Sequence, residues 1–286
     1  MGTERNEMKE IPKEWIEDGI SYVSHNQLEK PACLRMFEYR FLKDERRDIP
    51  FGVPADAGGA AHDAIQSVIC DGADIEDAIV TAVNRVQSHE PIDELDGLKT
   101  AAYVDDIEFV IRNGVEEISK LDDTFTAEEQ INVQMPQTAL PFLGFVDLTG
   151  ENRLVEIKTK WNTFNPPKKD GTRTPRQAKL PEQPDASHIR QVSIYWAATG
   201  KLPTLVYITT QGAVTFSQDN CDLLSVESLE HHFNQIMHNA IVWENLLSIS
   251  TDPHVLKYWI QPNWDDFRWR FMPNDYLNQA KELWKI

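Results

Sequence analysis

Helical spacing of apolar residues dominates the chain up to about residue 125 and again beyond residue 216, while parts of the stretch between them alternate apolar and polar positions as strands do. Within that stretch residues 131–135 predict one strand. Residues 142–160 predict two more, joined by a turn at Gly150, Glu151 and Asn152. Alternation sets Glu156 and Lys158 on one face of the later strand, with Val155 and Ile157 on the other. A hairpin centred between Glu151 and Asn152 places Asp147 across from Glu156. Residues 187–197 return to helical spacing: Ile189, Val192 and Trp196 line one side, and Gln191 and Tyr195, four apart, share another. A further helix is expected over 228–247. Upstream, Gly58, Gly59, Ala60 and Ala61 open a helix with His62 in its first turns, the glycines permitting close backbone approach to another element.

This order predicts an α/β protein, a central mixed β-sheet flanked by helices with helical N- and C-terminal extensions. The expected division is a frayed polar tail (1–12), a helical region (13–125), a sheet-bearing core (126–215) and an aromatic-rich helical region (216–286), all one interlocked unit. At 286 residues the chain can bury a full core. Three cysteines form no disulfide framework, and neither a leader-like run nor an apolar stretch of about 18 residues is evident, so a reduced, soluble, intracellular protein without a membrane partner is expected.

Charge complicates any nucleic-acid role, because 28 basic against 46 acidic residues give a formal net charge of −18. The distribution is uneven. Between 158 and 190, Lys158, Lys160, Lys168, Lys169, Arg173, Arg176, Lys179 and Arg190 face only Asp170, Glu182 and Asp185. Pro166, Pro167, Pro175, Pro181 and Pro184 exclude a helix or a central strand there. Residues 161–187 are therefore expected to be a basic loop without structure of its own, either a mobile solvated insertion or a lid that guides a strand into a site. Trp161 suits a base stack or a core or rim position equally. His231, His232 and His238, like Asp105, Asp106 and Glu108, read as helix-surface or packing residues.

Two carboxylates and a lysine gathered on one sheet face are either a solvated hairpin surface or a charge cluster that needs compensation. A divalent metal and a phosphate would supply it. The spacing Asp-x8-Glu-x-Lys of Asp147, Glu156 and Lys158 resembles the active-site motif of the PD-(D/E)XK nucleases. Three flanking segments are similar to their RecB-like branch: the helix of His62, the Gln-x3-Tyr of Gln191 and Tyr195, and the opening segment from Ser24 through Cys33 to Leu42. The matched segments run from about residue 20 to 200.

The resemblance implies a restriction-endonuclease-like core and a metal-dependent deoxyribonuclease. Mg²⁺ or Mn²⁺ would be held by His62, Asp147, Glu156 and the Ile157 carbonyl, and Lys158 would position water or stabilise the transition state. Gln191 and Tyr195 would orient substrate or the active-site groups, with Lys160, Trp161, Lys168, Lys169, Arg173, Arg176 and Arg190 on DNA. Stand-alone members of phage and mitochondrial genome-maintenance type point to single-stranded DNA ends, with 5′→3′ polarity, in replication, recombination or repair. A single-strand-binding or annealing protein is then a fitting partner, and the bacterial cytoplasm the location if the chain is phage-encoded. Alternatives are a double-strand 5′→3′ exonuclease working with an annealing protein, and a non-catalytic DNA-binding subunit. In one subgroup a cysteine placed like Cys33 joins three C-terminal cysteines around an iron–sulfur cluster. This chain has only Cys33, Cys70 and Cys221, so no such cluster can be built. Cys33 is then a small buried hydrophobe. Packing of Trp259, Trp264, Phe267, Trp269, Phe271 and Trp284 is expected to hold the C-terminus to the N-terminal helices instead.

Overall fold

The computed structural model describes residues 9–30, 51–266, 268, 269, 272 and 274–285. Short helices α1 (Lys13–Glu17) and α2 (His25–Glu29) precede three long ones, α3 (Val53–Asp71), α4 (Ile75–Gln87) and α5 (Glu94–Ile118). Strands β1 (Thr126–Gln134), β2 (Pro141–Thr149) and β3 (Arg153–Thr159) follow, then a ribbon of β4 (Thr163–Phe164) and β5 (Pro175–Arg176). Helix α6 (Ala186–Thr199) leads to β6 (Leu202–Thr209) and β7 (Gly212–Phe216), and α7 (Val226–Ile249), α8 (Pro253–Leu256) and α9 (Asn274–Leu283) close the chain. The result is α/β. Five strands form a mixed sheet in the order β1-β2-β3-β6-β7, flanked by helices. β2 and β3 are antiparallel, and β3 runs parallel to β6 across the α6 crossover. No helix among the described residues is long and apolar enough to cross a membrane.

The chain divides into two compact units, each assembled from separated segments where the sequence suggests consecutive regions of one interlocked unit. One comprises Met1–Pro50, Gln130–Gly144 and Glu230–Ile286, the other Phe51–Glu129 and Phe145–Leu229. In the first, the buried Glu244 carboxylate accepts hydrogen bonds from the amides of Ala139 (2.8 and 2.9 Å) and Leu140 (2.6 Å), satisfying the turn between β1 and β2. Trp264, Trp269 and Trp284 pack on one another with ring centroids 5.0–6.4 Å apart. Trp259 stays 66% exposed and takes no part in a staple. Cys33, Phe267 and Phe271 lie outside the described residues.

The second unit carries every described candidate of the acid–lysine cluster. Its core joins α3, α4 and α5 to one sheet face through Val155, Ile157, Leu148, Val206 and Ile208, all fully buried. Helix α5 presses closely on its neighbours at Gly114, where a Cβ would fall 2.5 Å from Ile65 Cδ1 and 2.7 Å from Ile208 Cδ1. A polar knot sets the three helices. The Asp96 carboxylate accepts from the amides of Val53 (3.0 Å) and Ile92 (3.2 Å), and both nitrogens of His89 meet carboxylates, Asp56 at 3.0 Å and Asp96 at 2.9 Å. Burial pushes the His89 imidazole down, but its hydrogen bonds to Asp96 and Asp56 outweigh this and raise it above 6.5. Burial also pushes Asp96 up, and the bonds from His89, Val53 and Ile92 bring it below 3.8.

Residues 161–187 are not the structureless loop that their prolines suggest. Thr163 pairs with Arg176 and Phe164 with Pro175, and Asp170 accepts from the amide and hydroxyl of Thr172 across a turn in which Gly171 has φ 82°. Proline is tolerated because this two-stranded ribbon leaves its outer edges unpaired. The root is tied down by Asn162, which donates to Asp106 (2.9 Å) and accepts from the Ala178 amide (2.9 Å).

A raised histidine stabilises fully below its unfolded value and stops doing so as pH rises through its folded value. A lowered aspartate does so above its unfolded value and fails as pH falls through its folded one. His89 and Asp96 together therefore support the fold best between about pH 4 and 6.5. His89→Gln is expected to destabilise by about 3 kcal/mol near pH 5.5 and by less near pH 8.5, since it removes the imidazolium that hydrogen-bonds both Asp56 and Asp96. Urea unfolding at the two pH values measures the difference.

Candidate active site

β3 runs through the interior of the sheet, so Glu156, whose neighbours Val155 and Ile157 fill the core, is itself only 4% exposed. The hairpin has the register expected from its turn, Leu148 facing Val155 and Thr149 facing Leu154. One step further, where Asp147 comes level with Glu156, a side chain takes over from the ladder. The Ile157 amide donates to Asp147 Oδ2 at 2.6 Å, and the Asp147 carbonyl accepts from Gln66 Nε2 at 2.9 Å. Asp147 is thus held at both its backbone and its carboxylate.

Helix α6 closes the cluster from the Glu156 side. Its Asp185 cap accepts from Ser187 N (2.8 Å), and i,i+4 spacing brings Gln191 and Tyr195 over β3. Lys158 Nζ donates to Glu156 Oε1 (2.7 Å) and to Gln191 Oε1 (2.9 Å), while Gln191 Nε2 donates to the same Glu156 oxygen (2.7 Å) and to Tyr195 Oη (3.1 Å). The phenol of Tyr195 donates a hydrogen bond to the Phe145 carbonyl at 2.9 Å. On the remaining side α3 presents His62, with Nδ1 3.5 Å from Asp147 Oδ1, and one turn later Gln66. Gln66 escapes a reading from sequence. The only signal is its i,i+4 spacing from His62, which becomes meaningful once both are seen on Asp147.

The charges are unbalanced. Burial, then the Asp147 charge, push Glu156 up to about 7, and the attraction of Lys158 does not offset them. Burial lowers His62, yet its hydrogen bond to Asp147 and the charges of Asp147 and Glu156 leave it raised. Burial also holds the Tyr195 phenol far above its usual range, so it serves as a neutral donor. Glu156 Oε2 is buried with no hydrogen-bond partner among the described residues, a costly state for a carboxylate oxygen. A hard cation suits that oxygen together with Asp147 and the His62 imidazole. No three His, Cys, Asp or Glu side chains among the described residues are already arranged to hold a metal ion, so the cluster supplies such a site's donors and not its finished geometry.

The other candidates divide. Lys160 lies with Nζ 5.3 Å from the ring of Tyr207, the β6 residue in register with Lys158. Trp161 stacks on buried Tyr103 (centroids 4.8 Å, 27°) and packs against the core, so the open base-stacking position considered for it is not what the fold provides. Lys168 and Lys169 are exposed at the ribbon tip and Arg176 on β5, while half-buried Arg173 reaches the Asn165 carbonyl at 3.5 Å. Arg190 is half-buried on α6. Ile157 is fully buried and engages Asp147 through its amide.

No protein-family profile and no curated protein matches this sequence. Among solved structures the chain is similar to one described as the crystal structure of SSO0001. The identity is 14%, the alignment covers 79% of this chain and 90% of that one, and the TM-score is 0.31.

A carboxyl group raised from 4.5 to about 7 weakens the fold progressively as pH climbs between those values. Glu156→Gln is therefore expected to stabilise the protein by about 1–3 kcal/mol at pH 8 in chelator, with the gain vanishing near pH 4.5. Thermal unfolding at the two pH values tests this, and destabilisation at pH 8 would contradict the charge imbalance.

Proposed function

We propose that the protein is a metal-dependent deoxyribonuclease with a RecB-like PD-(D/E)XK core, acting as an exonuclease on single-stranded DNA ends with 5′→3′ preference. The observation that carries the reading is the buried, partnerless Oε2 of Glu156 beside Asp147, His62 and Lys158. A buried Glu156 carboxyl set beside the Asp147 charge costs stability, which is the pattern of a site built for charge compensation by ligands.

Asp147, Glu156 and His62 would hold Mg²⁺ or Mn²⁺, with the Ile157 carbonyl as a further oxygen. Such an ion, when bound, polarises a phosphate and makes water more acidic. The chain does the rest. The Ile157 amide and Gln66 fix Asp147, so its Oδ1, 3.5 Å from His62 Nδ1, keeps a single direction. Gln191 holds Lys158 and Glu156 together, and Tyr195 holds Gln191, which sets the ammonium beside the carboxylate. Lys158 there supplies positive charge to a phosphoryl group as negative charge builds on it. Its side chain is one-fifth exposed, so it can be reached from solvent. The exposed basic ribbon tip would bind phosphates, and the acidic remainder would discourage DNA elsewhere.

Asp147→Ala and Glu156→Ala are each expected to lower the cleavage rate of end-labelled single-stranded DNA by at least about a thousandfold with the fold intact. Lys158→Ala should keep metal affinity by calorimetry and lose rate. Activity near that of the unaltered protein in either acid variant would remove the assignment.

Replacing Lys168, Lys169, Arg173 and Arg176 together should flatten the dependence of single-strand affinity on salt. With about four phosphates released from contact at about 0.7 each, the log–log slope falls by roughly 3. Turnover of a saturating short substrate should change far less. An unchanged slope would put the DNA path elsewhere.

A further inference from the structure

Phe145 is 53% exposed although it lies in β2, an interior strand of the sheet, between half-buried Gly144 and fully buried Val146. A large aromatic side chain left open to water inside a strand forgoes the burial that its neighbours obtain. Its position is not arbitrary. Side chains two apart on a strand share a face, so Phe145 lies on the face of Asp147, opposite the core-facing pair Val146 and Leu148. Its backbone is also locked to the acid–lysine cluster. The Phe145 carbonyl accepts from Tyr195 Oη (2.9 Å), which accepts from Gln191 (3.1 Å), which donates to Glu156 (2.7 Å).

An exposed ring at that address suits a flat, weakly polar partner. The Phe145 side chain carries no hydrogen-bonding group, so it cannot read a base edge and can offer only its ring. Other exposed apolar side chains of this unit, such as Phe51, Val80 and Phe109, are on or beside the helices α3, α4 and α5. Trp161 has its ring stacked on Tyr103. We propose that Phe145 is a stacking platform for one unpaired base next to the scissile phosphate, making it a determinant of single-strand preference with little sequence preference. A base within a duplex has its faces covered by neighbouring pairs and cannot take this position without unstacking. The inference rests on the nuclease reading above.

The test uses the full-length protein in EDTA, with single-stranded oligonucleotides carrying 2-aminopurine at successive positions from each end. Stacking quenches that base, so quenching is expected at one position and not at its neighbours. Phe145→Ala and Phe145→Leu should both lose the quench and bind roughly five- to a hundredfold more weakly, the range expected for one base–aromatic stack. Phe145→Trp should keep both. Leucine retains apolar bulk without a π face, so it separates stacking from a packing role. An oligonucleotide abasic at that position should bind the unaltered protein as weakly as the intact one binds Phe145→Ala. Full quench and affinity in the leucine variant, in a protein that cleaves single strands with Mg²⁺ or Mn²⁺, would overturn the platform and leave the nuclease standing. A protein that neither binds nor cleaves single strands would overturn the nuclease reading, and the platform with it.

Discussion

The Glu156 carboxylate lies in the middle of an interior strand and shares one of its oxygens between the Lys158 ammonium and the Gln191 amide. That arrangement constrains everything around it. A charge so placed requires a cation two residues along the same strand face, and a helix crossing above to bring an amide into range. Asp147 must also come close from β2, so the ladder gives way there to a side-chain bond with the Ile157 amide. Burial, and then the nearby Asp147 charge, hold the Glu156 proton more tightly than water would, and its second oxygen has no hydrogen-bond partner among the described residues.

Supports of this cluster lie well outside it in sequence. His62 and Gln66 reach Asp147 only because α3 is set against the sheet, and α3 is set by the knot of Asp96, His89 and Asp56 at its start. The absence of a side chain at Gly114 lets α5 close on Ile65 and Ile208. Such packing is tight, so a methyl group added there would force the Ile65 and Ile208 side chains out of their places.

Net charge and local charge pull in opposite directions. The formal −18 opposes association with nucleic acid at a distance, whereas the ribbon between β3 and α6 presents Lys168, Lys169 and Arg176 to solvent. Its root is fixed by Asn162 and its neighbour Trp161 is stacked in the core. A basic projection with an anchored base positions charge more definitely than a free loop would, because less conformational freedom is lost on contact.

Much of this was legible in the chain alone. Alternation of side chains and the turn at Gly150 determined the hairpin register and hence the meeting of Asp147 with Glu156, because a slip of one residue would turn Leu148 and Val155 outward. The four-residue spacing of Gln191 and Tyr195 likewise determined that they share a helix face. These are local relations, set by the geometry of a strand or a helix. Other features depended on contacts between residues far apart in sequence, which no local period encodes. Only the tertiary structure placed Gln66 on the Asp147 carbonyl, 81 positions away, and turned Trp161 inward onto Tyr103. It alone folded a proline-rich stretch into a ribbon through a handful of turn hydrogen bonds, and gathered separated segments into two units. It also left Phe145 in the open, since exposure on a strand face depends on what the rest of the chain does or does not lay over it.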